Sequence, residues 1–131
     1  MSETTAAMVA GAKQRVENLT PEQVAAEVEK QGAVLFDLRE PDERAQNGAI
    51  PGAIGAPRGM LEFWADPASP YHRPEFDLGK RTILYCASGG RSALGAETLQ
   101  HLGYTNVAHL DGGFRGWQEA GRPVEGPGPQ S

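Results

Sequence analysis

Short, continuous apolar runs recur along the chain and constrain its fold more than any other feature. Each run is about four residues long, as expected of a strand that is buried on both faces of a parallel sheet. Patterns typical of helices separate the runs, and alternating strands and helices imply right-handed crossovers with helices on both faces of the sheet. The sequence therefore predicts an α/β fold, with strands at 33–36, 82–85 and 107–110 and helices at 21–30, 41–46, 92–102 and 114–120.

Composition narrows the kind of protein and the partners to expect. A chain of 131 residues accommodates one ordinary domain. Its net charge of −5 argues against a broad basic surface, so we expect neither nucleic acid nor a membrane as a partner. The single cysteine, Cys86, cannot form an internal disulfide or a cysteine-rich metal site. We therefore expect a reducing, cytoplasmic location and no metal ion or cofactor.

The two ends of the chain differ from its middle. Residues 1–15 predict an N-terminal helical extension whose thin, Ala-rich apolar face either packs loosely on the domain or contacts a partner chain. Residues 16–124 form the predicted domain. Residues 125–131 include alternating glycine and proline at 126–129, which predicts a disordered tail.

The segment that follows the strand at 82–85 carries the chemistry. Cys86 lies at the carboxyl end of that strand, where open α/β sheets bind ligands, and just before a helix N-terminus, whose free amides favour an anion. Gly89 and Gly90 let consecutive N–H groups turn toward one sulfur atom. A cysteine with only a packing role is the alternative. We interpret Cys86 as a nucleophilic thiolate in a loop that consists of Ala87, Ser88, Gly89, Gly90, Arg91 and Ser92.

Three motifs together resemble those of the rhodanese homology domain. They are Phe-Asp-Leu-Arg-Glu-Pro-Asp-Glu at 36–43 with Ile-Pro-Gly-Ala at 50–53, the loop at 86–91, and Leu-Asp-Gly-Gly-Phe-Arg-Gly-Trp at 110–117. The resemblance covers about residues 16–124 and implies a rhodanese-like fold with about five mostly parallel strands. It also implies a thiosulfate sulfurtransferase that forms a persulfide on Cys86. The partners implied are a small anionic sulfur donor and a cyanide or thiol acceptor. Many members have a histidine where this chain has Ala49.

Two other functions fit parts of the pattern. A sulfur-relay or regulatory module would deliver the persulfide to a protein acceptor with little free turnover, and the N-terminal helix motivates that alternative. The related phosphatases and arsenate reductases have a loop with five residues between cysteine and arginine, whereas four separate Cys86 from Arg91. Tyr85 also occupies the place of a histidine in the phosphatase signature. A phosphatase is therefore the weaker alternative.

Residues outside the loop are candidates for supporting roles. Asp37 and Arg39 follow the strand at 33–36, and we favour a structural ion pair beneath the loop over a role in orienting the site. Arg58 could bind a sulfonate or sulfite group, although a solvated surface charge is the more ordinary interpretation. Other side chains have predicted structural roles: Met60, Phe63 and Trp64 form an apolar rim or part of the core, and His101 and His109 have no special role.

Overall fold

A five-stranded, wholly parallel sheet lies at the centre of the computed structural model, which describes residues 2–126. Its strands are β1 Glu17–Leu19, β2 Val34–Asp37, β3 Ile54–Gly55, β4 Thr82–Tyr85 and β5 Val107–Leu110, in the order β1-β5-β4-β2-β3. Its helices are α1 Thr5–Arg15, α2 Pro21–Gln31, α3 Pro41–Asn47, α4 Leu61–Ala65, α5 Gly90–His101 and α6 Gly113–Glu119, with a 3₁₀ turn at Arg58–Met60. The predicted fold class is confirmed.

Local sequence signals explain where several of these elements begin and end. The Thr20 hydroxyl accepts a hydrogen bond from the Gln23 amide at 3.2 Å, and the Gln23 side chain accepts one from the Thr20 amide at 2.9 Å. This capping box, with Pro21 in the first turn, starts α2. Gly32 ends that helix with a φ of 71°, a conformation that other residues rarely adopt.

The sheet separates two hydrophobic cores. One core packs α4, α5 and Val16, which follows α1, against Phe36, Leu84 and Val107. The other packs α2 and α6 against the side chains that point the opposite way, among them Leu35 and Tyr85. Helices therefore cover both faces, as predicted. Within residues 2–126, no helix is both long and apolar enough to cross a membrane.

The ends of the chain pack on this domain. In α1, Ala12 is fully buried and the Lys13 ammonium lies 2.9 Å from the Asp111 carboxylate. Glu125, which the sequence analysis assigns to a disordered tail, exchanges two backbone hydrogen bonds of 2.8 Å with Ala49. The rest of the predicted tail, residues 127–131, lies outside the described residues. The division at residues 15 and 124 stays a prediction.

Candidate active site

The sulfur of Cys86 lies in a closed cradle at the carboxyl end of β4. The residue is 1% exposed. The amide of Gly89 lies 3.2 Å from the sulfur and the amide of Ser92 lies 3.4 Å from it, and both donate to it. The structure thus places two backbone donors around the predicted nucleophile, which is the arrangement that stabilises negative charge on sulfur.

Glycines at two helix starts allow this loop to close. Gly89 caps α5 with a φ of 104°, and the helix begins at Gly90, two residues before the predicted start. Gly113, at the start of α6, leaves no space for a side chain, because a Cβ there would lie 2.7 Å from the Cys86 carbonyl oxygen. The amide of Phe114 donates to that same carbonyl at 2.8 Å, so α6 holds the loop from the opposite side.

Arg91 binds a carboxylate instead of extending freely toward a ligand. Its two terminal nitrogens donate to the two carboxylate oxygens of Glu43 at 2.8 and 3.0 Å. This bond, together with one from the Glu40 amide, lowers the pKa of Glu43 to about 2, against the opposing effect of burial. The positive charge of Arg91, a member of the predicted loop, is therefore largely matched by the negative charge of Glu43.

Asp37 and Arg39 form a buried ion pair beneath the loop. The Arg39 guanidinium donates to both oxygens of the Asp37 carboxylate, at 3.0 and 2.8 Å, and both residues are at most 2% exposed. The Tyr85 hydroxyl donates to Asp37 at 2.7 Å and accepts from the Ile50 amide at 3.1 Å. Burial and the adjacent carboxylate raise the pKa of Tyr85. Because Tyr85 precedes Cys86, this network holds the strand end on which the loop is built.

A second buried network, which the sequence analysis did not anticipate, lies on the other side of Cys86. The sulfur lies 3.6 Å from the Ser92 hydroxyl, which lies 2.8 Å from Nδ1 of His109. Nε2 of His109 lies 2.7 Å from the Asn18 side-chain oxygen. His109 is fully buried, so the expectation of an ordinary strand histidine overlooked its contacts. The signal available in the sequence was a histidine within an otherwise apolar run, one residue before the run ends.

The remaining candidates lie outside the cradle. The Arg58 guanidinium donates to Glu62 at 2.9 Å and to Thr98, well along α5, at 3.2 Å. Anion binding by Arg58, the less favoured interpretation of the sequence, would require breaking these contacts. Trp64 packs against the core beneath Arg73, and Phe63 is 51% exposed, so these two side chains do not form a closed rim. Ser88 is exposed at the loop tip.

Beside the loop lies a polar depression of about 180 Å³, which none of the sequence motifs indicated. It borders Ala87, the residue after Cys86, and Arg115 and Gln118 of α6 contribute side chains to its wall.

Comparison with known proteins agrees with the fold and identifies the family. The Rhodanese-like domain family matches residues 20–120. The thiosulfate sulfurtransferase GlpE of Actinobacillus succinogenes is 32% identical over 82% of this chain and 88% of its own length. An uncharacterised Synechocystis protein is 32% identical over 73% of the chain, which spans only 49% of that relative.

A solved structure from Rhodopseudomonas palustris has a TM-score of 0.89 and 42% identity, covering 95% of this chain and 96% of that one. That protein is described as of unknown function and a possible tyrosine phosphatase. The family match spans most of the described residues. It includes the cysteine loop, the strand β4 before it, and the helices α5 and α6 beside it. This chain belongs to the rhodanese-like domain family.

Proposed function

We propose that the protein is a sulfurtransferase that carries a sulfane sulfur atom on Cys86. The observation that carries this proposal is the pair of amides, from Gly89 and Ser92, directed at one buried sulfur atom at 3.2 and 3.4 Å. Such a cradle matches a single sulfur anion. Sulfurtransferases are also named among the relatives of this family.

The transfer proceeds in two half-reactions with thiosulfate or a related donor. The Cys86 thiolate attacks the outer sulfur of the donor, the sulfur–sulfur bond of the donor breaks, and sulfite leaves with the bonding electron pair. The outer sulfur of the resulting persulfide is then taken by cyanide or a thiol, and the Cys86 thiolate is regenerated. A covalent intermediate of this kind gives ping-pong kinetics.

The polar depression beside Ala87 is the proposed route by which the donor approaches Cys86. Cys86 is 1% exposed, so a donor must reach the sulfur through the loop region. Arg115 on the wall of the depression supplies a positive charge there. Arg91 contributes less to the attraction, because Glu43 matches its charge.

Intact-protein mass spectrometry tests the proposal directly. Incubation with thiosulfate is expected to add the mass of one sulfur atom, and cyanide is expected to remove it. Cys86→Ser is the matched control, because it replaces only the sulfur of the side chain and should take up none. Failure of the wild-type protein to form the adduct with thiosulfate, polysulfide or another sulfane-sulfur donor would contradict the proposal.

A phosphatase is the second candidate, and one observation favours it: the description of the Rhodopseudomonas palustris protein. The geometry is less suitable for that reaction. A phosphate has three oxygens to bind, and the guanidinium that a phosphatase would use for them is bound to Glu43 at 2.8 and 3.0 Å. Release of phosphate from an aryl phosphate by wild-type protein, lost in Cys86→Ser, would establish this activity instead.

The sulfur-relay alternative is motivated by the apolar stripe of the N-terminal helix, and the structure supports it only in part. Ala12 and Val16 on that stripe are at most 8% exposed and are buried within the protein itself, whereas Met8 is 46% exposed. Rapid turnover of thiosulfate and cyanide by the isolated protein would exclude a role limited to one protein acceptor.

A further inference from the structure

A continuous chain of side-chain hydrogen bonds leads from the sulfur of Cys86 to the edge of the sheet. It runs through the Ser92 hydroxyl and the His109 imidazole to the Asn18 amide, over distances of 3.6, 2.8 and 2.7 Å. Cys86, Ser92 and His109 are at most 1% exposed, whereas Asn18 lies on the edge strand β1 and is exposed. The chain thus connects the buried thiol of Cys86 with a buried imidazole nitrogen of His109.

The bonds of Asn18 determine which nitrogen of His109 carries the proton. The Asn18 NH₂ group donates to the carbonyls of Lys13 and Val16 at 2.9 and 3.1 Å. Its oxygen therefore faces His109, and since that oxygen only accepts, Nε2 carries the hydrogen. Nδ1 is left as an acceptor. The Ser92 hydroxyl donates to it and presents a lone pair to the thiol of Cys86.

This arrangement allows the thiol proton to move without any displacement of heavy atoms. The S–H bond of Cys86 breaks as a new O–H bond forms on Ser92, and the original O–H bond of Ser92 breaks as an N–H bond forms on Nδ1 of His109. The sulfur keeps the electron pair. Before the transfer and after it, every polar hydrogen in the chain has an acceptor, and afterwards the Ser92 hydroxyl donates to the thiolate.

We propose that His109, acting through Ser92, is the positioning residue that takes the proton of the Cys86 thiol before sulfur transfer and returns it afterwards. Asn18 holds the imidazole in the tautomer that this transfer requires. The inference rests on the proposed role of Cys86 as the sulfur carrier. It explains how a thiol that is 1% exposed loses its proton without direct access to water.

Burial keeps the imidazole of His109 neutral while Cys86 carries its proton, and the negative charge of a thiolate at Cys86 favours the imidazolium once the proton has moved. Lys13 of α1 and Asp111 after β5 face it, joined to each other at 2.9 Å, and Cys86 faces it from the end of β4, while α5 contributes only the Ser92 hydroxyl. Burial lowers the pKa of His109 to about 4, and the charges of Asp111 and Lys13 act on it in opposite directions. The imidazole is therefore neutral at rest and able to accept.

The rate of Cys86 alkylation by iodoacetamide, measured against pH, tests this role. Cys86 is the single cysteine, so the readout is unambiguous. His109→Gln keeps a hydrogen-bonding side chain but cannot hold the proton. We expect its profile to shift by about one pH unit to higher pH, which is roughly a tenfold slower reaction near pH 6. Ser92→Ala should shift the profile at least as far, because it also removes the hydroxyl that donates to the thiolate, and adding His109→Gln to it should shift the profile no further.

Asn18→Asp provides a change in the opposite direction. A carboxylate beside Nε2 favours the imidazolium, so the profile should shift to lower pH and the reaction near pH 6 should be faster. A merely structural role would not produce opposite shifts. The matched control is His101→Gln, an exposed histidine at the end of α5, whose profile should match that of the wild type.

Two outcomes overturn the inference. One is a His109→Gln profile that coincides with the wild type in folded protein. The other is slower reaction in Asn18→Asp, which would indicate general damage to the site. If His109→Gln does not fold, Ser92→Ala and Asn18→Asp decide between the same outcomes. Alkylation uses no sulfur donor, so a failure of persulfide formation would contradict the proposed function without moving these profiles.

Discussion

Two buried polar networks flank Cys86 on opposite faces of the sheet, and they differ in charge. On the face covered by α2 and α6, Asp37 and Arg39 form an ion pair that the Tyr85 hydroxyl completes. On the face covered by α1 and α5, Ser92 and His109 form a neutral chain that ends at Asn18. Both reach the same strand end, from opposite sides.

The difference in charge indicates different roles: the ionised network holds the geometry of the site, and the neutral network can transfer a proton. A buried ion pair has a large cost if either partner is lost, so it holds its geometry firmly. A neutral chain of hydroxyl and imidazole groups can reverse its hydrogen bonds at a much smaller cost. The ionised network therefore fixes the strand end before the loop, and the neutral network can exchange a proton with the sulfur of Cys86.

The largest effect is expected from breaking the ionised network. Arg39→Met leaves the Asp37 carboxylate, which is fully buried, without its main partner. The free energy of unfolding should fall by about 3–5 kcal/mol, measured by urea denaturation. Arg44→Met is the control, because Arg44 lies 3.4 Å from the same carboxylate but is partly exposed, and should cost at most about 1 kcal/mol. Equal costs for the two variants would show that the buried Asp37–Arg39 pair stabilises the fold no more than the partly exposed Arg44 contact does.

The contribution of the neutral network to the free energy of unfolding should instead depend on pH. Burial lowers the pKa of His109 from 6.5 to about 4. Between these values the unfolded chain binds a proton that the folded protein does not, so the free energy of unfolding should fall as the pH falls from 6.5 toward 4. The loss should reach about 3 kcal/mol at most.

The measurement is the difference in unfolding free energy between wild type and His109→Gln at about pH 7 and about pH 4.5. That difference cancels the titration of carboxylates common to both proteins. At the lower pH the wild type should have lost more of its unfolding free energy than His109→Gln has. The difference between wild type and His101→Gln should stay the same at both pH values. A difference that stays constant between the two pH values would mean that His109 titrates normally and is not isolated from water.

The smallest effect is expected where the charged pair is exposed. Glu43→Gln breaks the bond to Arg91, whose side chain is 38% exposed while that of Glu43 is 31% exposed. The cost should be about 1 kcal/mol or less. Because Arg91 lowers the pKa of Glu43 from 4.5 to about 2, this contribution is present above pH 4.5 and lost as the pH falls toward 2.

Glu62→Gln is the matched control for that variant, since it breaks the similarly exposed pair with Arg58. The two changes should have comparable costs in urea denaturation. A cost for Glu43→Gln as large as that for Arg39→Met would contradict the distinction between a buried scaffold and an exposed pair.

Most of the fold could be predicted from local patterns, and the elements that were not predicted, β1, β3 and α4, show the limit of such patterns. The runs that became β2, β4 and β5 are apolar on both faces, so their pattern does not depend on a partner. β1 has one buried residue, Leu19, in three, and it is a strand only because it pairs with β5. A short edge strand carries too little apolar pattern to be predicted from its own residues.

The candidate site divides in the same way. The amino-acid sequence by itself determined that Cys86 ends a buried strand, that glycines follow it, and that a helix begins there, because strand, turn and helix propensities act over a few neighbouring residues. Only the tertiary structure decided that Arg91 binds Glu43 and that Ser92 and Asn18 meet at His109. These partners lie 48, 17 and 91 residues apart in the chain. Parallel crossovers bring them together, and no local pattern records which distant side chain will face a given atom.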